Sequence, residues 1–329
     1  MKVLVTGATG FLGSWLTKKL LDEGFDVAVL IRSKHKLAEE LPGLQVEARE
    51  GDVTNLDSVQ KAMTNVQGVF HLAGLVAYTR SERTAMERVN VLGTQNIVTA
   101  CLEARVERLL HLSSVTAIGA GFTPDQVLNE TSAYNIKHLN LGYFETKRLA
   151  EEHVIDACRT RGLNAVVLNP STIYGPGDAK KGSRGSQLKV ARGSFPFYPP
   201  GGVGIVHVDD VVDLCVQAFR HGKVGERTIV TSENLLIQDV FSRIAILAGV
   251  KPPSIALPRS VIFGLGHLGD ALESVGLKGP INTENAWSSV LYHWFSNEKA
   301  RRDFGFNPKP ADAALEASVR WIKDNGLLK

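Results

Sequence analysis

Three glycines spaced three apart, Gly7, Gly10 and Gly13, follow directly on the apolar run Val3-Leu4-Val5. That spacing can cradle an anion. The first glycine turns the chain sharply, the second lets the backbone approach a phosphate with no Cβ in the way, and the third lets the next helix lie close to its strand. The backbone from Thr9 through Gly10, Phe11 and Leu12 to Gly13 then faces the phosphates with its N–H groups and the positive end of that helix. Farther along, Tyr143 and Lys147 stand four apart in a helical pattern and so share a face. Hydroxyls from Ser113 and Ser114 close an apolar run that begins at Leu109.

The elements needed to position these groups are written in the same stretches. Phe11, Leu12, Trp15, Leu16, Leu20 and Leu21 recur at helical spacing, Gly24 closes that helix, and 26–31 reads as a second buried strand, which together predict a dinucleotide site. Apolar strands at 3–6, 27–31, 46–50, 69–73, 109–113 and 165–169 alternate with helices, including 85–104 and 140–157. This order predicts an α/β fold, a doubly wound parallel sheet of the Rossmann type. After Pro170, loops rich in Gly and Pro mark a smaller C-terminal substrate lobe. Residues 1–170 are expected to form the dinucleotide-binding domain and 171–329 mainly the substrate lobe, with about 205–232 returning to the first domain. The stretch 261–275 is apolar on one face, as a core helix or a peripheral membrane contact would be.

Cofactor preference is read at the end of the second strand. A carboxylate there binds both ribose hydroxyls and repels the extra phosphate of NADP. This chain has Ile31-Arg32-Ser33-Lys34 instead, and the planar Arg32 fork suits a phosphate, with Ser33 and one of Lys34 or Lys36 adding contacts. NADP is therefore expected over NAD. After the third strand, Asp52 and Val53 are placed to meet the adenine, although Asp52 could equally cap the helix near Asn55. Leu72, Ala73 and Gly74 end the fourth strand with small residues that let the chain pass close to the dinucleotide.

The glycine turn, the serines ending the fifth strand and the Tyr/Lys helix come in the order of a short-chain dehydrogenase/reductase. The chain resembles the extended branch of that superfamily over nearly its whole length, with 90–96, 169–176 and 207–211 carrying further motifs. Within the branch it is similar to the dihydroflavonol-4-reductase-like proteins of the NAD(P)-dependent epimerase/dehydratase family. The resemblance implies that Tyr143 is the general acid in reduction and the base in oxidation, that Lys147 lowers the phenol pKa and holds the nicotinamide ribose, and that Ser114, five before Gly119, donates to the substrate oxygen. It also implies that 170–173, Pro170 and Ile173 included, line the carboxamide side of the nicotinamide, and that Asn90 orders the water or the helix near Lys147, with a bond to backbone as the alternative. Thr146 stands where many relatives have Ser. Nucleotide-sugar epimerases of the branch carry Asp at the position of Ile31.

The leading expectation is thus an NADPH-dependent reductase of ketones or aldehydes. Its alternatives are an NAD-dependent nucleotide-sugar epimerase or dehydratase, and a non-catalytic dinucleotide sensor. Leu75, Val76, Ala77, Tyr78, Tyr134 and the aromatic loop 195–198 are expected to form an apolar or aromatic substrate pocket, while Lys180, Lys181 and Arg184 keep a sugar diphosphate open. The chain has 329 residues, is 44% apolar and carries a formal charge of +3, which favours a large core and excludes nucleic acid as the default partner. Its nine histidines show no zinc spacing, so no metal is expected, and its three cysteines sit in apolar helical patterns as buried thiols. With no leader pattern and no apolar run of roughly 18 residues, a cytoplasmic protein without membrane insertion is expected. Helices around 85–104 and 140–157 could pair in a homodimer.

Overall fold

The computed structural model describes residues 1–180, 185–277, 279 and 281–328. Its strands are β1 (Lys2–Thr6), β2 (Asp26–Ile31), β3 (Glu47–Glu50), β4 (Gly68–His71), β5 (Arg108–Leu112), β6 (Ala165–Pro170), β7 (Thr172–Tyr174), β8 (Phe197–Tyr198), β9 (Gly202–His207), β10 (Arg227–Val230), β11 (Glu233–Leu236), β12 (Ile255–Ala256) and β13 (Tyr292–His293). Seven of them make one sheet in the order β10-β6-β5-β4-β1-β2-β3, with every neighbouring pair parallel. The first crossovers carry the chain outward to β3, and the next places β4 on the other side of β1. The strand order therefore reverses between β1 and β4, where a crevice opens at the carboxyl ends.

Helices cover both faces because the inner strands are apolar on both. Leu12, Leu16 and Leu20 of the Phe11–Asp22 helix pack with Val211, Cys215 and Phe219 of the Val208–His221 helix on one face. On the other face, Val59, Ile97, Val98, Cys101, Val154 and Ala157 come from the helices Leu56–Ala62, Gly93–Glu103 and Gly142–Arg161. β3 is the free edge beside β2, and its exposed residues include Glu47 and Glu50.

A second sheet, β11-β9-β13 with β7 on β9, belongs to the C-terminal lobe, whose own core gathers Val190, Ile205, Val240, Ile244, Leu315 and Val319. β10 returns to the main sheet beside β6. The helix expected over 85–104 is interrupted. It runs as Arg83–Met86, a π turn Glu87–Leu92, and then Gly93–Glu103. A π turn inserts one residue per turn and re-aims the side chains on it, here Asn90. The stretch 261–275 forms the Arg259–Ser274 helix, with Ile262, Gly266 and Gly269 facing inward and Val261, Leu268 and Val275 exposed. No helix among the described residues is long and apolar enough to cross a membrane.

Candidate active site

The glycine turn is as tight as its spacing predicts. Gly7 has φ +74°, and a Cβ there would lie 2.8 Å from the Ala73 nitrogen of the neighbouring strand end. A Cβ on Gly13 would meet the Gly7 carbonyl oxygen at 2.0 Å, so helix and turn touch backbone to backbone. Between them Gly10 donates its N–H to the Gly7 carbonyl at 2.9 Å.

A cleft of about 340 Å³ opens above this turn, lined by Gly7, Thr9, Gly10, Arg32, Lys36, Asp52, Val53, Leu72, Ala73 and Gly74, ten of the residues singled out in the sequence. Leu30, Ile31, Gly51, Leu75, Ala85 and Val89 complete the lining; the last two lie on the helical stretch around the π turn and carry no motif of their own. Phe11 lines a neighbouring hollow with Thr9, Trp15 and Pro176, while Leu12 is buried in the sheet core.

Three local details sort the expectations at the rim. Ser33 caps the Lys34–Glu40 helix, accepting from the Lys36 N–H at 3.3 Å. Lys34 pairs with Glu50 at 2.6 Å, which leaves Lys36 as the lysine on the cleft. Asp52 is not the cap of the next helix: Asn55 accepts from the Ser58 N–H at 3.0 Å, and Asp52 accepts from both the N–H and the hydroxyl of Thr54 at 2.9 Å. The exposed Arg32 guanidinium stands 3.9 Å from the Asp52 carboxylate, so the cation at the rim already has an acidic neighbour.

The donor set fits a dinucleotide. Backbone N–H groups and a cradle that a Cβ would fill occupy the phosphate end, apolar walls the adenine end, and a cation the ribose rim. On the catalytic side, Pro170 closes β6 and is buried, and Ile173 lies on β7 packed against the sheet core.

Asn90 joins this cleft to the Tyr143 helix. Its Oδ1 accepts from Leu75 N–H at 2.7 Å, and its Nδ2 donates to the Leu75 carbonyl and to the Thr146 hydroxyl, both at 3.0 Å. Asn90 thus bonds both to backbone, at Leu75, and to the helix beside Lys147, at Thr146. Lys147 is 7% exposed and donates from Nζ to the Leu112 carbonyl at 2.7 Å, which binds the helix to the end of β5. Burial brings its amine down to about 8, against the opposing charge of Glu151 one turn on.

Ser114 adjoins the Tyr143 hydroxyl, whereas Ser113 is turned into the interior with its Oγ unpartnered. Burial pushes the Tyr143 phenol up, the neighbouring Tyr78 adds to this, and the Ser114 hydroxyl pulls it back in part. This differs from the expected lowering by Lys147. The amine is spent on a backbone carbonyl, and desolvation outweighs it.

Behind these groups lies a network that the motifs did not reveal. Asn169 donates to the Ser114 carbonyl at 2.9 Å and to Glu151 at 2.5 Å, and Arg227 of β10 reaches Glu151 at 3.1 Å. The loop bearing Ser114 and the helix bearing Tyr143 are thereby fastened to each other and to the last strand of the sheet.

Tyr143 belongs to an apolar and aromatic cluster that also contains Tyr78, Phe122, Tyr134, Leu139, Trp287 and Leu291. The Tyr78 and Tyr143 rings meet at 6.0 Å. Phe195 of the expected aromatic loop turns away, packing edge-on to Phe197 at 5.9 Å and Phe241 at 6.2 Å in the core of the lobe. Lys181 and Arg184 lie outside the described residues, as does the Lys180 side chain. The described residues contain no cluster able to hold a metal ion.

Comparison with known proteins agrees with this geometry. The NAD dependent epimerase/dehydratase family matches residues 3–231. Sterol demethylase protein B of Methylococcus capsulatus is 31% identical, with 100% of each chain covered, and a putative dihydroflavonol 4-reductase of Synechocystis is 29% identical over 99% of this chain and 95% of its own. The solved structure of gox2253 superposes with a TM-score of 0.86 at 32% identity, covering 99% of both chains. Turn, strand order and Tyr/Lys helix therefore have one explanation: the chain belongs to the NAD dependent epimerase/dehydratase family of extended short-chain dehydrogenases/reductases.

Proposed function

We propose that the protein is an NADPH-dependent reductase of ketones or aldehydes, acting reversibly on the corresponding alcohols. The observation that carries this reading is the Ser114 hydroxyl beside that of Tyr143, with Lys147 one turn along the same helix and aromatic side chains packed around, next to a cleft whose rim offers Arg32 and Lys36. Glycines 7, 10 and 13 with Thr9, Phe11 and Leu12 would hold the pyrophosphate, Asp52 and Val53 the adenine, and Leu72 to Gly74 the chain between the two halves. Lys147, Pro170 and Ile173 would hold the reactive end. The bound dinucleotide supplies a hydride.

Ser114 Oγ donates a hydrogen bond to the substrate carbonyl oxygen, and Tyr143 Oη gives that oxygen its proton. The apolar and aromatic cluster to which Tyr143 and Tyr78 belong favours an uncharged, apolar substrate over a charged one.

Titration with NADPH and NADH, followed by turnover of a panel of carbonyl compounds, tests the reading. Arg32→Ala is expected to weaken NADPH about tenfold or more and to leave NADH nearly unaffected. Tyr143→Phe should lower kcat by about a hundredfold or more and keep the NADPH affinity. Conversion of a nucleotide sugar without net consumption of added NADPH would replace this reading with the epimerase alternative.

A further inference from the structure

His71 is wholly buried on β4, immediately before the stretch 72–74 that lines the cleft, and it is hydrogen-bonded on both sides. Its Nδ1 lies 2.7 Å from the Thr6 hydroxyl at the end of β1, and its Nε2 lies 3.0 Å from the Thr94 hydroxyl of the Gly93–Glu103 helix. The Thr6 oxygen also accepts from the Ala73 N–H at 3.1 Å, the same nitrogen that a Cβ on Gly7 would meet. On the far side, the Thr94 hydroxyl donates to the Asn90 carbonyl in the π turn at 2.6 Å.

The number of protons fixes the direction of these bonds. A hydroxyl has one proton to give. That of Thr94 goes to the Asn90 carbonyl, so the contact with His71 needs a proton on Nε2. In a neutral ring Nδ1 is then an acceptor, and the Thr6 proton meets it. Burial, with the Lys147 charge adding to it, brings the His71 imidazole down to about 3, so the ring is neutral at pH 7. His111 on β5, at 5.4 Å between ring centroids, is pushed down by the same burial. The donors therefore all point one way, from Ala73 beside the glycine turn to the Asn90 carbonyl. The Asn90 amide reaches the Thr146 hydroxyl, which donates to the Tyr143 carbonyl at 2.9 Å.

We propose that His71 is a positioning residue that joins the dinucleotide cradle to the helix bearing Tyr143. As a neutral imidazole with its proton on Nε2, it holds the Thr6 hydroxyl beside the glycine turn with one nitrogen and the π turn that aims Asn90 with the other. Each bond is buried, so a partner removed on either side leaves a polar group without water to replace it.

Only the kcat part of the test rests on the reductase reading. The protein carrying isotope-labelled histidine is examined by long-range proton–nitrogen NMR, with His71 assigned by its loss in His71→Gln, and a neutral ring protonated on Nε2 is expected. Thr6→Val and His71→Gln break the cradle side, because a glutamine amide stands in for Nε2 but not for Nδ1. Thr94→Val and His71→Asn break the helix side, because an asparagine oxygen stands in for Nδ1 alone. The first pair is expected to weaken NADPH about tenfold with kcat on the carbonyl panel kept. The second pair should lower kcat about tenfold and speed hydrogen exchange of the Asn90 side-chain amide by a similar factor, with NADPH affinity kept. Thr6→Ser and Thr94→Ser retain the hydroxyls and should restore both quantities.

A charged His71, or one protonated on Nδ1, overturns the inference. So does the same joint loss of affinity and kcat in both pairs, which is what disturbed packing alone gives. If wild type binds NADPH and reduces no carbonyl compound, the reductase reading fails, and the tautomer, the affinity split and the Asn90 exchange decide the positioning role without it.

Discussion

Lys147 shows how much a single burial decides. Its amine sits at about 8, against an ordinary 10.5, so the folded protein gives up this proton more easily than the unfolded chain does. Between those values the unfolded state binds more protons, and stability therefore rises with pH across that window; below it the ammonium is charged in both states and the cost of burying it is paid in full. Urea unfolding at a series of pH values should show wild type gaining about 3 kcal/mol between pH 7 and 10.5 relative to Lys147→Met, which lacks the titrating group. A lysine that costs stability at neutral pH while bonded to a backbone carbonyl fits a group kept for its chemistry. Tyr143 and Lys147 could be picked out because a spacing of four on one helix is a local fact. The direction of the Tyr143 shift could not, since it depends on which atoms surround the ring in space.

Among the elements, the strand-turn-helix at the amino end was the most readable, because every requirement in it is met within thirteen residues. Gly13→Ala is expected to destabilise the protein by about 3 kcal/mol or more and to abolish dinucleotide binding, since its Cβ would sit 2.0 Å from the Gly7 carbonyl. Gly264→Ala gives the contrast. It lies inside a helix, a Cβ there meets nothing within 4 Å, and helix propensity alone should stabilise it by about 0.5–1 kcal/mol. Denaturation midpoints and NADPH titration of the two variants read both effects. The π turn at Glu87–Leu92 was not readable, because apolar spacing does not reveal one extra residue in a turn. Yet that turn directs Asn90 toward both Leu75 and Thr146, so an expected continuous helix concealed the residue that joins the cleft and the Tyr143 helix.

In the molecule as a whole, the alternation of strands and helices gave the parallel sheet, while some members of the aromatic cluster with Tyr143 came from far along the chain. Glu284 and Trp287 stand more than 140 positions after Gly142 and Tyr143 respectively. No periodicity links such pairs, and the aromatic loop at Phe195, which looked like pocket wall, served the core of its own lobe. The tie from Arg227 through Glu151 and Asn169 to Ser114 was hidden for the same reason: each residue reads as an ordinary strand or helix position.

The sheet itself ends at β3, where a row of backbone groups has no further strand to pair with. Glu47 is held there between Lys2 at 2.7 Å and Arg49 at 2.8 Å, and Glu50 by Lys34 at 2.6 Å. Another molecule's strand approaching this border would have to strip water from those charges before forming its first ladder bond, which keeps copies from templating onto one another. Replacing both glutamates by valine should remove that barrier and make light scattering climb with protein concentration, under conditions where the unaltered chain stays level.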